Sequence, residues 1–322
     1  MRKITVSWLL TFISTITFAQ TILVSGTVTD EQGKPVPFAF IKDAEHNYAT
    51  FSDPDGAFTL NADPSSRLIA TCSNYKESVV KIDNQPSVKI VLTAGGTAGT
   101  NSANSNKSSD LFDVKEIGGT DRSSRPLVSF GTAEEELHGS PYLFNKWVHG
   151  YALSTADTIN ENDNYLFNYE KIDGALLYTD DGKTMLRVYK DKIKGFTLFD
   201  EKGQTYTFEN VPSIDPKHYL QVLASGSRYK IYKEFGTEFV KADFQTNGMT
   251  SSGNNYDSYV DQSVYYVVKL PGGQPQKISL KRKSIRNAFG ADEDRANKFM
   301  SAHDSDEIDD TFLKGLGEFM NE

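Results

Sequence analysis

Between residues 22 and 92 the chain alternates short apolar runs with clusters of Asp, Gly, Pro and Asn. Residues 22–28 read as a strand, Asp30-Glu31-Gln32-Gly33 as a turn with Gly where a left-handed residue is wanted, and 39–41 as the start of the next strand. Asp53-Pro54-Asp55-Gly56 makes a second turn, 57–60 leaves it as a strand, and 68–73 and 88–92 complete the set. Strands this short and this evenly spaced predict a compact antiparallel sandwich.

Residues 93–125 lose this pattern: Gly95, Gly96 and Gly99 lead into a run of Asn, Ser and Lys. Such a segment cannot bury enough apolar surface to offset its ordering entropy, so it predicts a flexible linker and a domain boundary. From 141 to 280 strand patterns return at 165–169, 174–178, 185–189, 196–199, 206–208, 229–232, 263–270 and 277–280. Asp180-Asp181-Gly182-Lys183 and Asp200-Glu201-Lys202-Gly203 supply turns. The result is a meander that would wrap into a barrel, a sandwich or a half-open sheet. The tail then changes period. Ile308, Phe312, Leu313, Leu316, Phe319 and Met320 fall on one helical face, with Asp304 and Glu307 as its N-terminal cap. A shorter helix is expected over 292–300, and the tail helix is expected to pack on the neighbouring sheet.

Two stretches of the first segment carry a resemblance. Gly26-Thr27-Val28-Thr29-Asp30, followed by Gly33-Lys34-Pro35-Val36 and Ala39, resembles the opening signature of the carboxypeptidase regulatory-like family. Thr50-Phe51-Ser52-Asp53-Pro54-Asp55-Gly56-Ala57-Phe58 resembles its second signature, a Thr-Asp-x-x-Gly-x-Phe hairpin. Asn74-Tyr75 stands where the family usually has Gly-Tyr, and Ser52 where it often has Thr. The likeness covers about 70 residues, under a quarter of the chain. It implies a seven-stranded, transthyretin-like β-sandwich with Phe58 and Tyr75 in its core. In the family this module accompanies many different partners, so the resemblance implies a fold and an envelope setting without an activity.

The N-terminus predicts export. Arg2 and Lys3 precede an apolar run from Ile4 to Phe18, and Thr17-Phe18-Ala19 offers small residues for cleavage before Gln20. The run is too short and too rich in Ser and Thr for a spanning helix, and no later segment is apolar enough to be one. The expected divisions are a signal peptide at 1–19, the sandwich at 20–92, a linker and lead-in at 93–140, a β-rich domain at 141–280 and a helical C-terminus at 281–322. The fold class is therefore mainly β, with two antiparallel β domains and C-terminal helices. The expected compartment is the periplasm, the outer-membrane surface or the medium.

Composition narrows the chemistry. A net charge of −9 with one small basic cluster, Lys281-Arg282-Lys283 with Arg286, argues against nucleic acid. The single Cys72 shares its alternation with Leu68 and Ala70 and reads as a small buried hydrophobe. The five histidines, His46, His138, His149, His218 and His303, form no i, i+4 pair, and none begins the His-x-x-Glu pattern of the zinc carboxypeptidases. Neither a nucleophile elbow nor a phosphate loop is present. The acidic runs at 134–136, 180–181, 292–294 and 304–310 read as solvated faces, and the strand tyrosines as ordinary β residues. No catalytic, cofactor-binding or metal-ligating residue is named by these patterns. They point to an exported, non-catalytic binding or scaffolding protein, with an envelope protein or a glycan as partner. The alternative is a carbohydrate-binding or hydrolase-type site in the middle β domain.

Overall fold

A computed structural model describes residues 21–95, 115–116, 137–160, 165–246 and 251–322. The predicted signal peptide, most of the predicted linker and the acidic run at 134–136 lie outside these residues.

The first seven strands are β1 (Ile22–Asp30), β2 (Phe40–Asp43), β3 (Ala49–Phe51), β4 (Ala57–Ala62), β5 (Arg67–Thr71), β6 (Ser78–Lys81) and β7 (Ser87–Leu92). They form two sheets, ordered β4-β1-β7 and β3-β2-β5-β6. Alternation does the work: Phe58, Leu60 and Ala62 on β4 and Val88, Ile90 and Leu92 on β7 point inward, with Val24 and Val28 between them. Gly26 pairs with both Phe58 and Val88, and a Cβ there would sit 2.6 Å from the Phe58 ring and 2.2 Å from the Val88 carbonyl. The turn before β4 is closed by Asp53, whose Oδ1 accepts from the amides of Asp55 (2.9 Å) and Ala57 (2.8 Å). Cys72 is half-buried against this core, as its alternation predicts. One expectation needs amending. β1 and β7 run parallel, because the chain leaves β1 for the other sheet and returns to β7 from the same end.

The remaining strands are β8 (Lys115–Glu116), β9 (His149–Ser154), β10 (Ile159–Asn160), β11 (Leu166–Glu170), β12 (Ala175–Thr179), β13 (Leu186–Arg187), β14 (Ile193–Phe199), β15 (Thr205–Glu209), β16 (Leu220–Ser225), β17 (Tyr229–Val240), β18 (Gln245–Thr246), β19 (Ser251–Ser252), β20 (Ser258–Lys269) and β21 (Gln276–Ile278). Eight of them make one antiparallel sheet, β10-β9-β14-β15-β16-β17-β20-β21. It is an open sheet with neighbours on its faces, which decides among the three shapes the pattern allowed. The β17–β20 ladder runs unbroken from Tyr229↔Lys269 to Val240↔Ser258, well beyond the predicted 229–232 and 263–270. Its outer half is half-exposed and mixes Phe239, Val240 and Val260 with Thr, Glu, Asp and Gln, so no clear alternation marked it. β9 and β16 were not predicted, and β13 is shorter than the pattern at 185–189 suggests.

One face of the large sheet carries two adjoining cores. Over β9, β14 and β15 lies the sheet β11-β12-β13-β8, with Phe167, Tyr169, Leu176 and Tyr178 packed on Ala152, Phe196, Leu198 and Phe208. Over β16, β17 and β20 lie helices α1 (Arg282–Ala288), α2 (Glu293–Ala302) and α3 (Asp310–Asn321). Phe312, Leu313, Leu316 and Met320 of α3 bury against Leu223, Ala224, Ile231 and Val267. Gly317 makes this approach close, since a Cβ there would meet that of Ala224 at 2.2 Å. The helix cap is a correction: Asp309 Oδ1 accepts from the Phe312 amide at 2.8 Å, and α3 starts after it instead of near Asp304. Residues 304–307 remain outside the helix because Arg282 draws the carbonyls of His303 (2.7 Å) and Asp304 (2.8 Å) toward itself.

Candidate functional site

The opposite face of the large sheet is shared between the sandwich and an open groove. Its pairing defines rows running across β9, β14 and β15. His149 and Phe199 form one row, Tyr151, Thr197 and Thr207 the next, and Leu153, Gly195 and Glu209 a third.

The sandwich docks on the first row. Phe38 stacks on His149 at 4.7 Å, Phe51 meets His149 at 5.5 Å and Phe199 at 5.0 Å, and Tyr151 donates its hydroxyl to the Ala49 carbonyl at 3.2 Å. Phe38 adopts a left-handed backbone (φ 55°), costly for a bulky residue. Ser52 holds the segment there: its carbonyl accepts from the Phe38 amide (3.0 Å), and its buried Oγ accepts from the Ala39 amide (2.9 Å) and donates to Val36 O (2.8 Å). The strained turn thus projects an aromatic ring onto the second domain. Burial pushes the His149 pKa below its ordinary value, so the ring docks in its neutral form at pH 7.

The second and third rows floor a groove of about 590 Å³, open to solvent, with Asn47 of the sandwich on one rim and Asn210 and Pro212 on another. A bulge between Ile193 and Gly195 shapes the floor, and Gly195 has no room for a side chain because its Cβ would lie 2.2 Å from the Phe208 carbonyl. Thr197 and Thr207 present paired hydroxyls 3.3 Å apart. Glu209 is held on both oxygens by Lys230 (2.8 and 2.9 Å) and on one by the Tyr232 hydroxyl (2.7 Å), so its charge is neutralised in place. That contact and burial raise the Tyr232 pKa well above the phenol range, burial being the larger cause. The Oδ1 of Asn210 is enclosed without a hydrogen-bond partner. An orphaned acceptor costs about 1–3 kcal/mol.

The residues weighed in the sequence go elsewhere. Of the strand tyrosines, Tyr169, Tyr178 and Tyr265 are core residues, Tyr165, Tyr206 and Tyr266 are half-buried, and Tyr189 is exposed. His303 caps α2 through Phe299 O (2.9 Å), His46 lies 3.2 Å from Asp43, and His138 stacks on Tyr256 at 3.9 Å. Of the basic cluster, Arg282 is spent on backbone carbonyls. Asp292 binds Arg228 (3.0 Å), Lys269 (3.0 Å) and the Tyr229 hydroxyl. None of the groove residues was singled out in the sequence, because Thr, Asn and an isolated Glu on strands carry no spacing signature. No helix among the described residues is long and apolar enough to cross a membrane. No protein-family model matches the chain, and no curated protein matches it.

Proposed function

We propose that the chain is an exported, non-catalytic binding protein of the bacterial cell envelope, taking its ligand in the groove beside the docked sandwich. The observation that carries this reading is the uncovered pair of rows beside the docked sandwich. Its lining combines an apolar floor with hydroxyls, amides, the Glu209–Lys230 pair and the charged side chains of Lys190, Asp191 and Lys194 at its edge. That chemistry suits a neutral, hydroxyl-rich ligand such as an envelope glycan. Two carboxylates, Asp191 and Glu209, line the groove; a two-carboxylate hydrolysis needs both free to face each other across a sugar, and Glu209 is already engaged by Lys230 and Tyr232. Export rests on the basic, apolar and small-residue order at the N-terminus. The two signatures support membership of the sandwich in the carboxypeptidase regulatory-like family, an accessory module in keeping with a binding role.

Two measurements test the reading. Protein recovered from the native host should begin at or near Gln20. The mature chain should bind at least one oligosaccharide on an array of cell-envelope glycans, and Thr207→Trp, which fills the groove, should weaken that binding at least tenfold. Binding left intact by Thr207→Trp would place the ligand elsewhere, and an array without a hit would remove the glycan assignment.

A further inference from the structure

The groove's third row continues through Leu220 on β16 to Glu234 on β17. Two strand spacings place Glu234 about 10 Å from Glu209 along the row. Here the β15–β16 loop brings Asp215 and His218 to Glu234, and one ligand atom from each lies within 4.8 Å of the others. We propose that Asp215, His218 and Glu234 bind one divalent transition-metal ion of the zinc class. This site is separate from the groove reading and does not depend on it.

Each ligand has one polar atom held by a supporting group. His218 Nε2 lies 3.2 Å from the Ile172 carbonyl, while Nδ1 bonds Asp215 Oδ2 at 2.7 Å; a metal ion bound there would take the place of the proton in that bond. Asp215 Oδ1 accepts from the amides of Lys217 (2.6 Å) and His218 (3.3 Å), leaving Oδ2 for the ion. Glu234 Oε2 accepts from the Tyr266 hydroxyl at 2.9 Å, leaving Oε1. A histidine whose other ring nitrogen bonds a carbonyl, beside carboxylates that are themselves hydrogen-bonded, is the usual surrounding of a bound metal.

The loop is also prefixed. Pro216 restricts the backbone next to Asp215. Lys190 donates to the carbonyls of Pro216 (2.8 Å) and His218 (3.2 Å), and Lys217 to that of Ile172 (3.0 Å). Ligands at about 2.05 Å from a tetrahedral ion lie roughly 3.3 Å apart. The widest separation, within 4.8 Å, must shorten by up to about 1.5 Å, while the 2.7 Å His218–Asp215 contact must open by about 0.6 Å. One imidazole with two carboxylates selects a zinc-class ion over calcium or magnesium, which prefer oxygen donors alone. Three protein ligands leave a fourth position for water or another donor.

The test uses the mature chain without a histidine tag, stripped by chelator and titrated with Zn²⁺ by calorimetry. One saturable site is expected, with a higher melting temperature on loading. Co²⁺ in the same site should give visible ligand-field absorption. His218→Ala and Glu234→Gln should each weaken Zn²⁺ by about 100-fold or more, and Tyr266→Phe by about 10-fold. His303→Ala should leave binding unchanged. The proposal is overturned if the wild type shows no saturable step, or if binding survives in both ligand variants. It is overturned too if Ca²⁺ at equal concentration displaces Zn²⁺. Circular dichroism of the stripped variants checks their folding. Should a ligand variant unfold, Tyr266→Phe and the Co²⁺ spectrum of the wild type decide the matter.

Discussion

Acidification should loosen the docking of the sandwich before it unfolds either domain. The perturbation acts through His149, which is pressed between Phe38 and Phe51 and whose burial lowers its pKa. Above about pH 6.5 the imidazole is neutral whether docked or exposed, and docking is at full strength. Below that pH the undocked state takes up a proton that the docked state resists. Docking free energy then falls by up to about 1.4 kcal/mol per pH unit, until the pH reaches the lowered value. At pH 5.5 the docked-to-undocked ratio should have dropped by at most about tenfold. Of the two tryptophans, Trp8 belongs to the predicted signal peptide, so Trp147 reports alone in the mature chain, two residues before His149. Its fluorescence should change between about pH 7 and 5. His149→Phe, which keeps a ring without a titrating group, should abolish the change. If the variant follows the wild-type pH curve, the assignment of the transition to this contact is wrong.

Other outcomes follow from the packing. Phe312→Ala truncates a side chain buried in the helix-covered core and should cost about 3–5 kcal/mol in chemical denaturation; a melting temperature equal to the wild type's would contradict the described seat of α3. Asp309→Ala removes the cap on the Phe312 amide and should cost about 1 kcal/mol by the same assay. Gly317→Ala should destabilise despite its better helix propensity, because the added methyl collides with Ala224; a stabilised variant would mean that α3 sits further from β16. In the sandwich, burial alone would raise the Asp43 pKa, but hydrogen bonds from Ser66 and the amides of Glu45 and Asp63 hold it below 3.8. Its stabilising contribution is present above about pH 3.9 and lost as pH falls through the lowered value, so Asp43→Asn should flatten the acid limb of the melting curve. That window lies below the one set by His149.

Legibility in the sequence followed from how local each determinant was. Five of the seven sandwich strands were readable because one face is buried and period-2 alternation survives, as in the Phe58-Leu60-Ala62 run, whereas the short β3 and the half-exposed β6 were not. The α3 stripe was readable for the same reason at helical period. The long β17–β20 hairpin was half invisible, since beyond Phe235 it leaves the cores and is held by cross-strand pairing and by single contacts such as Lys171–Asp261 and Tyr259 N–His138 O. β16 was missed because a bulge between Val222 and Ala224 breaks its alternation. Asp304 was preferred as a cap to Asp309 because both precede the stripe at plausible distances, and only the pull of Arg282 on the intervening carbonyls separates them. The groove and the Asp215–His218–Glu234 cluster were not legible. Each depends on row neighbours from strands far apart in sequence, and on a loop whose conformation is set by Lys190 and Lys217.

The two faces of the large sheet explain why the chain needs its first module where it is. One face carries both cores, the β11–β13 sheet taking Phe196 and Phe208 and the helices taking Ile231 and Val267. The other would expose His149, Tyr151 and Phe199 together, an apolar patch that a soluble protein rarely leaves open. Docking the sandwich covers that row and stops at Thr197 and Thr207, which begin the groove. Tyr151 belongs to both: its hydroxyl binds Ala49 of the sandwich while its side chain helps to line the groove. A ligand touching Tyr151 and Asn47 would therefore stabilise the docked arrangement by its differential affinity for it. Docking would strengthen that ligand by the same factor. The module's role on this reading is to complete one wall of the site.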